Sequence, residues 1–323
     1  MLVLGLQGSP RKKGSTDYLL SSFFKEIDKK GVESKIVDIC RKNIKPCKGC
    51  GYCEKHGFCI TQDDDMALEM YSLVREADVI VAATPIYFYH ASAQMKGFID
   101  RCQALWSRKY RFRVSDPGGK TRKGFLLSPA ATKGVNLFEG LEFTMKYFFD
   151  ALNAEYCGGL TYRAIEKPDD FKNVSSLQED IARSVDKLIS PFSNRKKLLF
   201  ACRENACRSQ MASAFAQYYG GEKVEALRGG STPVVKINPM MEEVMAEKGI
   251  DMAFRRPQSI DAAIAKGKPD LIVTMGCGEA CPFVPGAERV DWNLPDPSGK
   301  DLSFMRDVRD RIEEQILTLL GKF

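Results

Sequence analysis

Short, β-rich apolar runs alternate with longer helical patterns in two successive series along the chain. In the first series the apolar runs cover residues 2–7, 34–39, 78–84, 123–129 and 154–162. This alternation is typical of βαβ units, which build a parallel sheet covered by helices. Ligands of such sheets bind at the carboxyl ends of the strands, so the loops after these runs are the first candidates for a functional site.

The pattern breaks once and then restarts. A polar amphipathic helix is predicted over residues 174–189, and the stretch "SPFSNRKK" interrupts the pattern after it. The second series has apolar runs at residues 197–202, 222–229, 269–275 and 287–292, followed by a predicted helix over 301–320. A chain of 323 residues can bury two separate cores. We therefore predict two doubly wound parallel-sheet α/β domains, at residues 1–190 and 197–323.

Composition narrows the class of function. The hydrophobic fraction of 44% and the charged fraction of 28% are those of an ordinary globular protein. No stretch approaches the roughly 18 apolar residues of a membrane span and the N-terminus has no secretory pattern, so we expect a cytoplasmic protein without a membrane partner. The net charge of +6 comes without a nucleic-acid motif, so no nucleic-acid partner is expected. A homo-oligomer is expected.

Cysteine usage points to thiol chemistry. The chain has 11 cysteines and only two histidines, which disfavours histidine triads and histidine-rich zinc sites. In a reducing compartment, cysteines in such number are typical of metal ligands or redox centres.

Two stretches of the first half suit a flavin. The stretch "GSPRKKGST" (8–16) joins the first strand to the first helix, and it matches neither a P-loop nor GxGxxG. Its side chains can bind a phosphate at a helix N-terminus, although a capped turn explains the stretch equally well. The residues with suitable hydroxyl or guanidinium groups are Ser9, Arg11, Ser15 and Thr16. The second stretch, "TPIYFYHASAQMKGFIDR" (84–101), follows the third strand, and a flat ring could lie against its Pro85 and its aromatic side chains Tyr87, Phe88 and Tyr89.

Together these stretches resemble the NADPH-dependent FMN reductase and iron-sulfur flavoprotein families, whose fold is flavodoxin-like. The resemblance covers about residues 1–165. It implies FMN, with its phosphate at the first stretch and its ring beside Pro85–Phe88. It also implies a third flavin loop at "SPAATKGV" (128–135) and an electron donor that is NAD(P)H or a ferredoxin-like protein.

Four cysteines lie close together between the second strand and the next helix. Their spacing is C-x2-C-x2-C-x5-C, and they are Cys47, Cys50, Cys53 and Cys59. Closely spaced cysteines suit a cubane cluster, whereas structural zinc usually draws on two separated pairs. The same compact spacing occurs in iron-sulfur flavoproteins. A [4Fe-4S] cluster, an empty or disulfide-bonded loop, and zinc all remain open.

The stretch "CRENACRS" (202–209) follows the first strand of the second half. A strand that ends in a loop and enters a helix can surround the Cys202 thiolate with backbone N–H groups, while Arg208 binds an oxyanion and the Ser209 hydroxyl donates to the sulfur. Asn205 can hold the shape of the loop through side-chain bonds to the backbone. Further along, "NLPDPSGKD" offers Asp296 as a general acid.

These residues resemble the low-molecular-weight protein tyrosine phosphatase family, to which thioredoxin-coupled arsenate reductases also belong. The resemblance spans roughly residues 197–323. Phosphatases of the family usually have proline after the loop serine and tyrosines after the Asp-Pro pair. This chain has "RSQMA" and "DPSGKD" there, which favours the arsenate reductase branch.

Further cysteines suit a thiol relay. Cys207 lies within the oxyanion loop, and "VTMGCGEACPFVPG" adds Cys277 and Cys281 after a strand. Arsenate reduction needs a second thiolate that attacks Cys202 and releases arsenite, whereas hydrolysis needs none. Which of the three cysteines resolves the intermediate stays open.

The sequence thus predicts a bifunctional enzyme of arsenic detoxification, in which an FMN domain supplies electrons to an arsenate reductase domain. A short linker raises the local concentration of reductant, so a separate thioredoxin-like donor could be dispensable. The alternatives are a redox-regulated protein tyrosine phosphatase and a redox or oxyanion sensor.

Overall fold

The computed structural model describes residues 1–276 and 284–323, and the chain divides into two compact units. The first unit comprises Met1–Arg113 and Thr121–Pro191, and the second comprises Val114–Lys120 and Phe192–Phe323. Within the described ranges, no helix combines the length and apolarity needed to cross a bilayer.

The first unit is built on a five-stranded parallel sheet with the order β2-β1-β3-β4-β5. Its strands are β1 (Leu2–Gln7), β2 (Glu33–Asp38), β3 (Val79–Ala83), β4 (Lys123–Pro129) and β5 (Glu155–Tyr162). Its helices are α1 (Ser15–Asp28), α2 (Tyr52–His56), α3 (Tyr71–Glu76), α4 (Ala93–Arg101), α5 (Gln103–Tyr110), α6 (Glu139–Ala151) and α7 (Leu177–Ile189). The strand order reverses direction at β1 and β3, and this switch point is where such sheets bind ligands.

Burial explains why the central strands read as continuous apolar runs. Every residue of β3 is buried, as are all but the first residues of β1 and β4, because helices cover both faces of the sheet. The edge strands β2 and β5 are more exposed and more polar.

The second unit has a four-stranded parallel sheet with the order β7-β6-β8-β9. Its strands are β6 (Lys196–Cys202), β7 (Val224–Gly230), β8 (Leu271–Thr274) and β9 (Glu288–Asp291). Its helices are α8 (Arg208–Gly220), α9 (Pro239–Glu247), α10 (Ile260–Ala265) and α11 (Leu302–Leu320). The predicted pair of parallel-sheet α/β folds is therefore confirmed, and each predicted strand lies within two residues of its observed position at either end.

A short segment from earlier in the chain completes the second unit. Ser115 donates its N–H to the Gly249 carbonyl and accepts from the Asp251 N–H, both at 2.8 Å. The Lys120 ammonium lies 3.8 Å from the centre of the Tyr218 ring. The sequence of this segment, "VSDPGGK", contains no pattern that predicts these contacts.

Ion pairs between α9 and α11 make the stability of the second unit depend on pH. Hydrogen bonds from Arg306 and then Arg309 hold the pKa of Glu247 at about 2, below its ordinary value of 4.5. A depressed carboxylate pKa stabilises the fold above the unfolded value, and this stabilisation is lost as pH falls through the folded value.

We therefore expect Glu247→Gln to lower the free energy of unfolding at pH 7, with the difference from the parent shrinking as the pH falls from about 4.5 to about 2. Urea unfolding at several pH values measures this. Glu314→Gln, at an exposed position on α11, is the control and should follow the parent's pH profile. A Glu247→Gln deficit that stays constant down to pH 2 would contradict the assignment.

Candidate active site

The loop between β6 and α8 surrounds a single buried sulfur. Cys202 ends β6, is 3% exposed, and has its Sγ 3.0 Å from the Ser209 Oγ. The sulfur also accepts the Asn205 backbone N–H at 3.3 Å. Arg208 and Ser209 begin α8, so the loop opens onto the N-terminus of a 13-residue helix. These donors favour a negative charge at the sulfur or on a bound oxyanion.

Asn205 sets the direction of the hydrogen bonds in the loop. Its Oδ1 accepts from the Gln258 N–H at 3.0 Å and from the Gln210 Nε2 at 3.2 Å, so its Nδ2 is the atom that donates to the Ser209 Oγ, at 2.7 Å. Because the Ser209 oxygen already accepts this bond, its hydrogen is free to point toward the Cys202 sulfur. The backbone of Asn205 is left-handed, with φ of +52°. The sequence predicts that Asn205 shapes the loop, and these hydrogen bonds of its side chain are the contacts that suit this role.

Two glutamines that hold Asn205 were missed by sequence reasoning. Gln210 also donates to the Asn205 carbonyl at 3.0 Å, and it directly follows Ser209. The signal that could have revealed Gln210 is that this chain has glutamine where phosphatases of the family usually have proline. Gln258 contributes through its backbone and comes from a distant part of the chain, so no local pattern marks it.

A segment after β7 runs alongside the loop. Ser231, Thr232 and Val234 donate their N–H groups to the carbonyls of Cys202, Arg203 and Glu204, at 3.1, 2.8 and 3.2 Å. A Cβ on Gly230 would lie 2.7 Å from the Arg203 carbonyl oxygen, so this close approach requires glycine. Backbone hydrogen bonds from the segment after β7 therefore hold the loop in place.

Arg208 and Asp296 meet beside the loop. Arg208 is 6% exposed, and its Nη1 donates to the Leu294 carbonyl at 3.3 Å. Its Nη2 lies 3.3 Å from the Asp296 Oδ1. The Asp296 side chain is 60% exposed, which gives a carboxyl group within reach of both solvent and the oxyanion loop. The structure thus brings together five sequence-predicted residues: Cys202, Asn205, Arg208, Ser209 and Asp296.

Of the three cysteines proposed to resolve the intermediate, the structure describes only Cys207. Burial, and then the neighbouring Cys202 and Asp296, raise the pKa of Cys207 to about 12. A thiol with such a pKa is almost fully protonated at neutral pH and is a weak nucleophile in this conformation. Cys277 and Cys281 lie outside the described residues. The described chain approaches Arg208 just before them, since a Cβ on Gly276 would lie 3.3 Å from the Arg208 Nη1.

The sequence-predicted flavin residues lie in two adjoining loops of the first unit. The Gly8 N–H donates to the Ala83 carbonyl at 2.7 Å, which joins the loop after β1 to the end of β3. Ser9, Ser15 and Thr16 are buried, whereas Arg11 is exposed. The buried Ser15 Oγ has no hydrogen-bond partner among the described residues, at the first position of α1. An orphaned hydroxyl at a helix N-terminus fits a phosphate.

The loop after β3 forms a tight hairpin. Tyr87 and His90 exchange backbone hydrogen bonds at 2.9 and 3.0 Å across a two-residue turn. The two turn residues, Phe88 and Tyr89, have φ of +49° and +62°. The Phe88 ring is fully exposed, so the aromatic surface predicted to face a flavin ring is available at the end of the strand. Pro85 and Ile86 lead into this hairpin.

The four closely spaced cysteines share one cavity. Cys47, Cys50, Cys53 and Cys59 all line a cavity of about 740 Å³ in the first unit. Burial is the main reason why the pKa of Cys53 is raised, and Cys59 and Cys47 are near enough to raise it further. Across residues 1–276 and 284–323, no three His, Cys, Asp or Glu side chains converge as ligands of a single metal ion.

Known proteins match the two units separately. The family model described as low molecular weight phosphotyrosine protein phosphatase matches residues 197–323. An arsenate reductase from Bacillus cereus (strain ZK / E33L) is 39% identical over 127 residues, which are 38% of this chain and 92% of that protein. Through its second unit, the chain belongs to the low molecular weight phosphotyrosine protein phosphatase family. We call this unit the phosphatase-family domain. One solved structure, described as an arsenate reductase in the phosphate binding state, is 32% identical, covering 39% of this chain and 98% of that chain with a TM-score of 0.36.

The first unit matches flavoproteins. The family model described as NADPH-dependent FMN reductase matches residues 1–123. An iron-sulfur flavoprotein from Archaeoglobus fulgidus is 40% identical over 111 residues, which are 34% of this chain and 55% of that protein. The chain therefore spans about half the length of this relative. We call the first unit the flavodoxin-like domain.

Proposed function

We propose that the chain is a cytoplasmic flavoprotein and arsenate reductase, in which the phosphatase-family domain reduces arsenate with electrons from the flavodoxin-like domain. The observation that carries the proposal is the buried Cys202 sulfur, which accepts from the Asn205 N–H and lies 3.0 Å from the Ser209 hydroxyl, in the loop that leads to Arg208. A nucleophile, donors and a cation arranged in this way suit attack on a tetrahedral oxyanion.

Reduction follows if a second thiol is available. The Cys202 thiolate attacks As(V) and a sulfur–arsenic bond forms, while an arsenic–oxygen bond breaks and the oxygen takes a proton from Asp296 and leaves as water. A second thiolate then attacks the Cys202 sulfur, a disulfide forms, and the sulfur–arsenic electron pair stays on arsenic as arsenite. Two thiols lose two electrons and arsenic gains two. Cys277 is our choice for this second thiol ahead of Cys281, and the raised pKa of Cys207 argues against Cys207.

Two features favour reduction over hydrolysis. Phosphatases of the family usually have proline directly after the loop serine, whereas this chain has Gln210 there. The Gln210 side chain donates hydrogen bonds to Asn205. The residues that follow Pro297 are Ser298, Gly299 and Lys300, so this loop offers no aromatic wall for a phosphotyrosine ring. The pairing of Asp296 with Arg208 nevertheless supplies an acid near the oxyanion loop, which keeps a redox-regulated phosphatase as the second candidate.

The flavodoxin-like domain has residues that suit both proposed cofactors. Ser9, Arg11, Ser15 and Thr16 would hold the FMN phosphate, and Pro85–Phe88 would lie beside the ring. When bound, FMN would supply two electrons, taken from NAD(P)H or a ferredoxin-like donor, for reduction of the disulfide. The four cavity thiols fit a [4Fe-4S] cluster better than a single zinc ion, because a cubane distributes its thiolates over four irons whereas zinc gathers them around one point.

Purified protein assayed with arsenate and with p-nitrophenyl phosphate separates the candidates. We expect NAD(P)H oxidation that depends on arsenate, and arsenite as the product. Hydrolysis of p-nitrophenyl phosphate that needs no reductant, without arsenate reduction, would instead support the phosphatase. Binding of oxyanion with neither reaction would support a sensor.

The proposed phosphate site makes a direct prediction about flavin retention. Arg11→Ala combined with Ser15→Ala removes one charge-assisted and one hydroxyl hydrogen bond, so the FMN dissociation constant should rise roughly 10- to 100-fold. Fluorescence titration with FMN measures it. Lys25→Ala combined with Ser22→Ala removes a matching pair later on α1 and should leave the affinity unchanged. Equal affinity of the two double variants would refute the phosphate assignment.

A further inference from the structure

A buried ion pair lies at the base of the cysteine loop, which we define as residues 46–60. Arg101 is 2% exposed and Asp64 is 1% exposed. The guanidinium binds the carboxylate with two nitrogens: Nη1 donates to Oδ2, and Nη2 donates to Oδ1 at 3.2 Å. This two-pronged geometry requires the planar fork of arginine.

The same pair binds both ends of the cysteine loop. Arg101 Nη1 donates to the Lys45 carbonyl at 2.7 Å, and Nη2 donates to the Thr61 carbonyl at 3.2 Å. The Asp64 Oδ2 accepts the Lys45 N–H at 3.0 Å. Lys45 lies two residues before Cys47 and Thr61 lies two residues after Cys59, so one buried pair joins the chain before the first cysteine to the chain after the last.

Arg101 also connects this loop to the loops proposed to bind flavin. It is the last residue of α4, a nine-residue helix about 14 Å long. The opposite end of α4 is capped by Ser92, whose Oγ donates to the Gly8 carbonyl and whose N–H donates to the Thr84 Oγ1 at 3.1 Å. One short helix therefore contacts the flavin loops at its start and holds the cysteine loop at its end.

We propose that Arg101 is a positioning residue that, together with Asp64, holds the cysteine loop closed before any metal binds. A buried ion pair is a weak source of stability, because desolvation opposes the attraction and an apolar pair of similar volume serves as well or better. Its value here lies in the hydrogen bonds to Lys45 and Thr61, which an apolar pair cannot make. The four thiols are then arranged by the protein rather than by their ligand.

That the closed loop serves metal binding rests on the proposed function. That Arg101 and Asp64 hold the loop closed depends neither on metal binding nor on arsenate chemistry. Metal-free, reduced full-length protein tests it. Under anaerobic conditions, iodoacetamide alkylation followed by peptide mass spectrometry gives a rate for each cysteine. The informative residues are Cys53 and Cys59, which are half-buried and therefore sensitive to loop opening.

Three variants separate the effect of the Arg101–Asp64 pair on the cysteine loop from its effect on the rest of the domain. Arg101→Lys keeps a cation beside Asp64 but loses the fork, and Arg101→Met combined with Asp64→Leu replaces the pair by apolar side chains that need no partner. Arg122→Lys is the matched control. Arg122 is likewise 2% exposed and donates to backbone carbonyls, those of Leu152 at 2.8 Å and Arg75 at 2.6 Å, both outside the cysteine loop.

We expect both Arg101 variants to raise the alkylation rates of Cys53 and Cys59 about tenfold or more, with Arg122→Lys near the parent rates. Rates in either folded Arg101 variant equal to those of the parent would overturn the proposal. It would also be overturned if Arg122→Lys exposed the same two thiols equally, because the effect would then be general loosening of the domain. If the apolar variant fails to fold, Arg101→Lys decides.

Discussion

Cys202→Ser is expected to lower both arsenate reduction and p-nitrophenyl phosphate hydrolysis by at least about a thousandfold. The sulfur is the only nucleophile that the described loop presents at the focus of the Asn205 and Ser209 hydrogen bonds. A hydroxyl at this position stays neutral at physiological pH and is a far weaker nucleophile. Initial rates with each substrate, at saturating concentration, measure the loss.

Cys207→Ser is the matched control for this change. Cys207 lies in the same loop, and burial raises the pKa of its thiol to about 12, which disfavours Cys207 as the attacking group. Hydrolysis by Cys207→Ser should stay close to that of the parent. Substantial turnover by Cys202→Ser would remove Cys202 from the mechanism, and equal loss in both variants would mean that the loop tolerates no substitution.

Replacing Cys277 and Cys281 together with serine is expected to stop multiple-turnover arsenate reduction and to leave p-nitrophenyl phosphate hydrolysis in place. Without a resolving thiol, arsenite cannot leave and the disulfide cannot form. Hydrolysis needs only Cys202, Arg208 and Asp296, none of which is changed. The expected result is therefore a complete split between the two activities.

Mass spectrometry of each single variant identifies the resolving thiol. In arsenate-treated protein without an electron donor, we expect a disulfide between Cys202 and Cys277, which Cys277→Ser should abolish. Catalytic arsenite release by the doubly substituted protein would contradict the relay and would transfer the resolving role to Cys207 or to an external thiol.

The sequence was sufficient to predict the strands and the loop in which Cys202, Asn205, Arg208 and Ser209 lie together. Buried parallel strands such as β3, and β6 after its two lysines, are short apolar runs with polar loops at their carboxyl ends, so the apolar pattern also marks where the site lies. Cys202, Asn205, Arg208 and Ser209 are close in sequence, and one loop and one helix turn bring them together. Spacing alone therefore predicts their proximity.

Contacts that depend on tertiary structure could not be predicted in this way. Gln258 donates its backbone N–H to Asn205, and because almost any residue has a backbone N–H, such a contact does not constrain the residue type at position 258. The segment Val114–Lys120 joins the second unit through backbone bonds of the same kind. Arg101 belongs to an unremarkable amphipathic helix in the sequence, and its link to Lys45 and Thr61 exists only once the cysteine loop has folded.

Electron transfer between the two domains is tested by reducing the FMN-loaded protein under anaerobic conditions, removing excess reductant, and adding arsenate while the flavin absorbance is followed. We predict that the oxidised flavin spectrum returns, with one arsenite formed for each flavin reoxidised in addition to the one that the reduced thiol pair of each chain supplies, and that Cys202→Ser gives no change. A flavin that stays reduced in protein that still reduces arsenate with an added thiol would contradict the proposal that the flavodoxin-like domain supplies the electrons.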